Sequence, residues 1–125
     1  MTDKYRVDVA VKTQYIEAQS KPEQNRYVFA YHVTITNLGS VTTQLISRHW
    51  IITDENQKVE EVRGAGVVGE QPVLSAGESF SYTSGAVLET PVGHMRGSYQ
   101  MQSEDGESFD AEIAPFVLSV PRTLH

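Results

Sequence analysis

A chain of 125 residues, 39% of them apolar, is sized and composed for one folded domain and is too apolar for disorder. Having no cysteine, it can form no disulfide, thiolate nucleophile or cysteine-bearing zinc site. A net charge of −6, with no two basic residues adjacent, argues against nucleic acid as the main partner, and no stretch approaches the ~20 apolar residues of a membrane span.

The first residues, Met1-Thr2-Asp3-Lys4-Tyr5-Arg6-Val7-Asp8, alternate charged and apolar side chains and contain no apolar signal core. A cytoplasmic protein without membrane insertion is expected. From Tyr5 the dominant period is two. Val7, Val9 and Val11 alternate with polar neighbours, which predicts a half-buried strand. The polar stretch 13–25, interrupted by Pro22, is expected to be loop or at most one helical turn. Tyr27, Phe29, Tyr31, Val33 and Ile35 predict a second strand, with His32, Thr34 and Thr36 on its other face.

Residues 45–52 are nearly continuously apolar and carry the only tryptophan, as a central strand would. Residues 62–74 are expected to form a long connection. Residues 78–88 predict a further strand, whose alternation begins with Phe80 and Tyr82 and loosens at Ser84-Gly85. Met95, Tyr99 and Met101 alternate with Arg96, Ser98 and Gln100, and Asp105-Gly106 then signals a hairpin. Phe109, Ala111 and Ile113 follow. The frame flips to Phe116, Leu118 and Val120 after Pro115, which reads as a bulge or bend. Six to eight strands without helix, repeat or linker predict one all-β domain over 1–125, a two-sheet antiparallel sandwich.

Gly64-Ala65-Gly66-Val67-Val68-Gly69 fits G-x-G-x-x-G, the pattern by which a helix amino terminus approaches a pyrophosphate. Glu70-Gln71-Pro72 follows and no helix can be drawn there, so the dinucleotide context fails. Two readings stay open: an amide nest with a weak preference for phosphate or nucleotide, and a glycine-bent crossing whose Val67 and Val68 plug the core. Arg48-His49-Trp50 sets a cation and an imidazole beside the tryptophan, with His49 on the face opposite the other two. Trp50 is most simply core, and Arg48 a rim residue. His32, His49 and His94 lack the spacing of metal ligands, and the Glu104-Asp105-Gly106-Glu107 tip lacks a calcium ladder, so no metal site or cofactor is expected. No nucleophile elbow occurs, and no local spacing unites a triad.

Arg48-His49-Trp50, the block from Gly64 to Pro72, Tyr82-Thr83-Ser84-Gly85, Gly93-His94-Met95-Arg96-Gly97-Ser98-Tyr99 and Ile113-Ala114-Pro115-Phe116 together resemble the bacterial ApaG family. The match runs in order along the chain, and Ala114 is its one departure. The resemblance implies a fibronectin type III-like or immunoglobulin-like sandwich and no enzymatic activity. It also implies an association with cobalt resistance and magnesium homeostasis, and protein contact as the role of similar eukaryotic domains. For Gly64, Gly66 and Gly69 it implies a pyrophosphate site. The expectation is therefore a non-enzymatic protein-binding module, with a small-ligand site at the glycine loop as the alternative. The candidate surface comprises Gly64, Gly66, Val67, Val68, Gly69, Gln71 and Pro72, offers Val73 and Leu74 as further apolar contacts, and is rimmed by Arg48 or Arg96.

Overall fold

The computed structural model describes residues 4–121. Positions 1–3, weighed above as part of a leader, and the terminal His125 lie outside that range. Eight strands form in chain order: β1 (Val7–Tyr15), β2 (Tyr27–Asn37), β3 (Thr43–Asp54), β4 (Val59–Ala65), β5 (Val73–Leu74), β6 (Ser79–Leu88), β7 (Val92–Ser103) and β8 (Ser108–Ser119). Between β1 and β2 the chain makes two 3-10 turns, Glu17–Gln19 and Pro22–Gln24. No described helix is long and apolar enough to cross a membrane.

All pairings are antiparallel. One sheet has the order β1-β2-β6 and the other β4-β3-β7-β8, with β5 pairing β3 beyond the end of β4. The alternation of β2 places Phe29, Tyr31, Val33 and Ile35 in the core, where they meet Trp50, Tyr99 and Met101 of the facing sheet. The opposite face of the three-stranded sheet carries polar rungs: His32 with Thr83, Thr34 with Ser81, and Thr36 with Ser79, at 2.8, 3.0 and 2.7 Å.

Two bulges adjust the five-stranded sheet. In β8, Ala114 and Pro115 together oppose Arg96, so Ile113 and Phe116 both turn inward, as the frame flip anticipated. In β3, Ile46 is the extra residue between Leu45 and Ser47. The apolar run 45–52 conceals that insertion, through which Leu45 and Trp50 both reach the core.

The 62–74 segment departs from the expected connection. Its first part belongs to β4, an exposed edge strand registered on β3 through Trp50↔Val62, and its end is β5. Strand β6 runs unbroken through Ser84-Gly85 to Leu88, within the 78–88 segment expected to be a strand.

Asn37 holds together the end of the sandwich where β2 turns. Its buried Nδ2 donates to the carbonyls of Val41 and Leu74 at 2.9 and 3.0 Å, and its Oδ1 accepts the Gly39 amide at 2.9 Å. Replacing it with leucine removes three bonds and orphans their partners. Asn37→Leu is expected to lower unfolding stability by about 3 kcal/mol, read as a lower urea midpoint at unchanged slope.

Candidate functional site

The glycine block closes a hairpin. After β4 the chain turns over Val67-Val68-Gly69-Glu70, where the Val67 amide donates to the Glu70 carbonyl at 2.8 Å and the Glu70 amide returns to Val67 at 2.9 Å. The two central residues have φ of 43° at Val68 and 80° at Gly69, which makes a type I′ turn. Gly66 has φ 62°, and a Cβ there would stand 2.3 Å from the Glu70 carbonyl oxygen. At Gly64 a Cβ would lie 2.8 Å from three atoms of the Arg48 guanidinium, so this glycine is a bed for a flat cation. Each glycine of the pattern therefore has its own reason in a strand–turn crossing, and no helix follows as a dinucleotide site would need.

Arg48 fixes the hairpin from below. Its Nη1 donates to the carbonyls of Ala65 and Gly66, at 3.0 and 2.9 Å. The bulge residue Ile46 fixes it from the side, its carbonyl accepting both the Gly66 amide (2.9 Å) and Gln71 Nε2 (2.8 Å). Gln44 Nε2 donates to the Gln71 carbonyl at 3.0 Å, and the Leu45 amide to Pro72 at 3.0 Å. Gln71 and Pro72 are thus ties between the hairpin and β3. The amides of Gly66, Val67 and Glu70 are all engaged within the protein, which leaves those of Val68 and Gly69 at the turn for any nest.

The adjacent valines part company. Val67 is 1% exposed and belongs to the core, while Val68 is 55% exposed at the tip. Leu74 is buried in the same way and Val73 exposed. The reading that both Val67 and Val68 plug the core is corrected for Val68, because a type I′ turn sends successive side chains to different sides.

Beneath the turn lies a cleft of about 320 Å³, bounded by Tyr31, Arg48, Trp50, Val68, Tyr82 and Ser84. It opens between the glycine hairpin and β6, on the side where the two sheets leave their edges β4 and β6. Arg48 is brought to it. Arg96 is exposed and registers with Ile51, which falls between Trp50 and Ile52 on the sheet's other face, so the structure separates the two arginines. His49 shares that outer face, with Nε2 2.8 Å from Glu61 Oε1. The ring of Trp50 meets those of Tyr31, Tyr99 and Phe116 edge to face. The hydroxyls of Tyr82 and Tyr99 bond one another across the core. Burial pushes the Tyr82 hydroxyl up to about 12 and raises that of Tyr99 as well. Both are neutral at physiological pH and offer no base. Among the described residues, no group of three or more His, Cys, Asp or Glu is placed to hold a metal ion.

Residues 17–103 match the family model described as ApaG domain. A protein named ApaG from Aromatoleum aromaticum is 61% identical over 99% of this chain and 98% of its own length. One from Pseudomonas fluorescens is 59% identical over 98% and 97%. A crystal structure described as the putative ApaA protein from Bordetella pertussis superposes with a TM-score of 0.95 at 54% identity, covering 98% of this chain and all of that one.

Two expectations follow from the geometry. A β-branched residue in the left-handed region costs about 1–2 kcal/mol, and asparagine is the residue a type I′ turn prefers ahead of glycine. Val68→Asn is therefore expected to raise the melting temperature, whereas Gly66→Ala, with an unfavourable φ and a 2.3 Å clash, lowers it sharply. The raised Tyr82 pKa means that the folded state keeps a proton the unfolded chain loses near pH 10. That contribution is full below pH 10 and is lost as pH rises towards about 12. Denaturation midpoints measured from pH 8 to 12 are expected to hold and then fall, with a shallower fall in Tyr82→Phe.

Proposed function

The chain belongs to the ApaG family, and from that footing we propose that it is a non-enzymatic docking module whose partner lays an extended segment along β6 and into the cleft beneath Val68. The observation that carries the reading is Val68 itself. An exposed valine at φ 43° is costly in a turn that asparagine would relieve, and strain of this kind clusters where recognition needs a fixed apolar contact.

The neighbouring edge supports it. Natural sheets guard free edges with charge or proline, yet β6 has neither in its ten residues. The Asn37 amide bonds the Glu78 carbonyl at 2.9 Å, and alternation from that pair points the N–H and C=O of Ser79, Ser81, Thr83, Gly85 and Val87 away from β2. An added strand finds this row of main-chain groups, and its inward side chains reach the aromatic cleft. Phosphate or nucleotide at the same turn is the weaker reading. It has two amides to use, an adjacent Glu70 to oppose it, and an Arg48 whose Nη1 is committed to two carbonyls. On this reading, the association with cobalt and magnesium that the resemblance implies runs through the partner. Calorimetry with cobalt is expected to give no saturable isotherm with this chain alone.

Paired variants test docking. Val68→Asp sits at an exposed tip, and Gly85→Pro removes an edge amide that β2 does not use, so both are expected to melt within a few degrees of the parent. Each is expected to lose the cytosolic partner that the parent retains in a pull-down. Val67→Asp buries a charge and unfolds the domain. If Val68→Asp and Gly85→Pro both fold and keep every partner, the reading fails.

A further inference from the structure

Strand β4 ends its sheet, with β3 on one side and an open edge on the other. The Asp54 amide bonds the Lys58 carbonyl at 3.1 Å, and the Gly66 amide bonds Ile46 at 2.9 Å, both on the register that pairs Trp50 with Val62. Antiparallel alternation from these two ends turns the main-chain groups of Glu60, Val62 and Gly64 towards β3. It leaves the N–H and C=O of Val59, Glu61 and Arg63 and the N–H of Ala65 facing the open edge, the Ala65 carbonyl being taken by Arg48. Their order along the strand is self-complementary. An antiparallel copy related by a two-fold axis at Val62 sets Glu61 opposite Arg63 and Arg63 opposite Glu61, with each pair exchanging both hydrogen bonds. Val62, 37% exposed, meets its own counterpart at the axis. Moving the axis by one residue preserves the backbone match but opposes Glu61 to Glu61, or Arg63 to Arg63, which is unfavourable.

We propose that the β4 edge pairs with the β4 edge of a second copy of this chain, in the single register centred on Val62. Charges on an edge strand ordinarily deter pairing. Here they favour the register centred on Val62 over its two neighbours. In the isolated chain Glu61 Oε1 is engaged by His49 Nε2 at 2.8 Å and Arg63 Nη2 stands 3.9 Å from it, so the Arg63 guanidinium and the second Glu61 oxygen are left for the cross-strand contact. One strand pair is a small interface, so the association is reversible and concentration-dependent. Nothing in it uses Val68 or β6, and it stands or falls separately from partner docking.

Sedimentation of the full chain over a wide concentration range tests the proposal, with circular dichroism to confirm folding. The parent is expected to pass from monomer to dimer as concentration rises. Arg63→Glu opposes like charges at both symmetric positions and should weaken the dimer about tenfold or more. The exchange Glu61→Arg with Arg63→Glu restores the pairing and should restore the dimer. Arg63→Pro deletes an edge amide that β3 does not use, and should leave a folded monomer. A parent that stays monomeric throughout overturns the proposal, as does a dimer that persists unchanged in folded Arg63→Glu or Arg63→Pro.

Discussion

One guanidinium governs the end of the molecule where the candidate site lies. Arg48 lies against the bare backbone of Gly64 and donates to two consecutive carbonyls at the end of β4, that of Ala65, which faces the open edge, and that of Gly66. A charge-assisted bond is the stronger kind, and this one ends a strand by giving its last acceptors a partner. The chain is then committed to turn within four residues. That turn sends Val67 down into the core and leaves Val68 standing over the cleft. The carbonyl of Ile46, on the β4 side of β3, completes the support from the other side. Motifs separated in sequence, Arg48-His49-Trp50 and the glycine block, are thus two halves of one mechanical joint.

The open side of the sandwich displays two edges built on opposite strategies. Strand β4 is charged, with Glu60, Glu61 and Arg63 exposed along its length, and near its start Lys58 pairs with Glu89, just past the end of β6. Strand β6 is neutral and alternates between exposed residues and residues that are half-buried or buried. A charged edge is selective about what lies beside it, whereas a neutral one is permissive. The open side of the sandwich therefore has one border set by charge and the other by neutral residues.

Much of this was legible beforehand, and for identifiable reasons. Strands with one face buried write their period into the sequence, so β1, β2, β7 and β8 were plain, as was the bulge at Pro115. Strand β4 was not. Apart from a half-buried Gly64 it is exposed on both faces, so Val59-Glu60-Glu61-Val62-Arg63-Gly64-Ala65 carries no alternation to read. The Ile46 bulge was hidden for the opposite reason, since a continuous apolar run looks the same with or without an insertion. At the site, the glycines and Arg48 were found from residue type alone. Val67 and Val68 could not be told apart, because only the turn geometry sends one in and the other out. Arg96 shares the chemistry of Arg48, but it faces the other side of a sheet whose cleft-bearing side could not be known in advance.

The hydroxyls of Tyr82 and Tyr99 touch between the two layers, one borne by each sheet. Two greasy layers in contact have many nearly equivalent ways to slide, because dispersion is indifferent to small translations. A directional bond between the layers is a dowel: it has one position at which it closes. It therefore keys the three-stranded layer to the five-stranded one. The cleft, whose walls belong to different layers, inherits its width from that alignment.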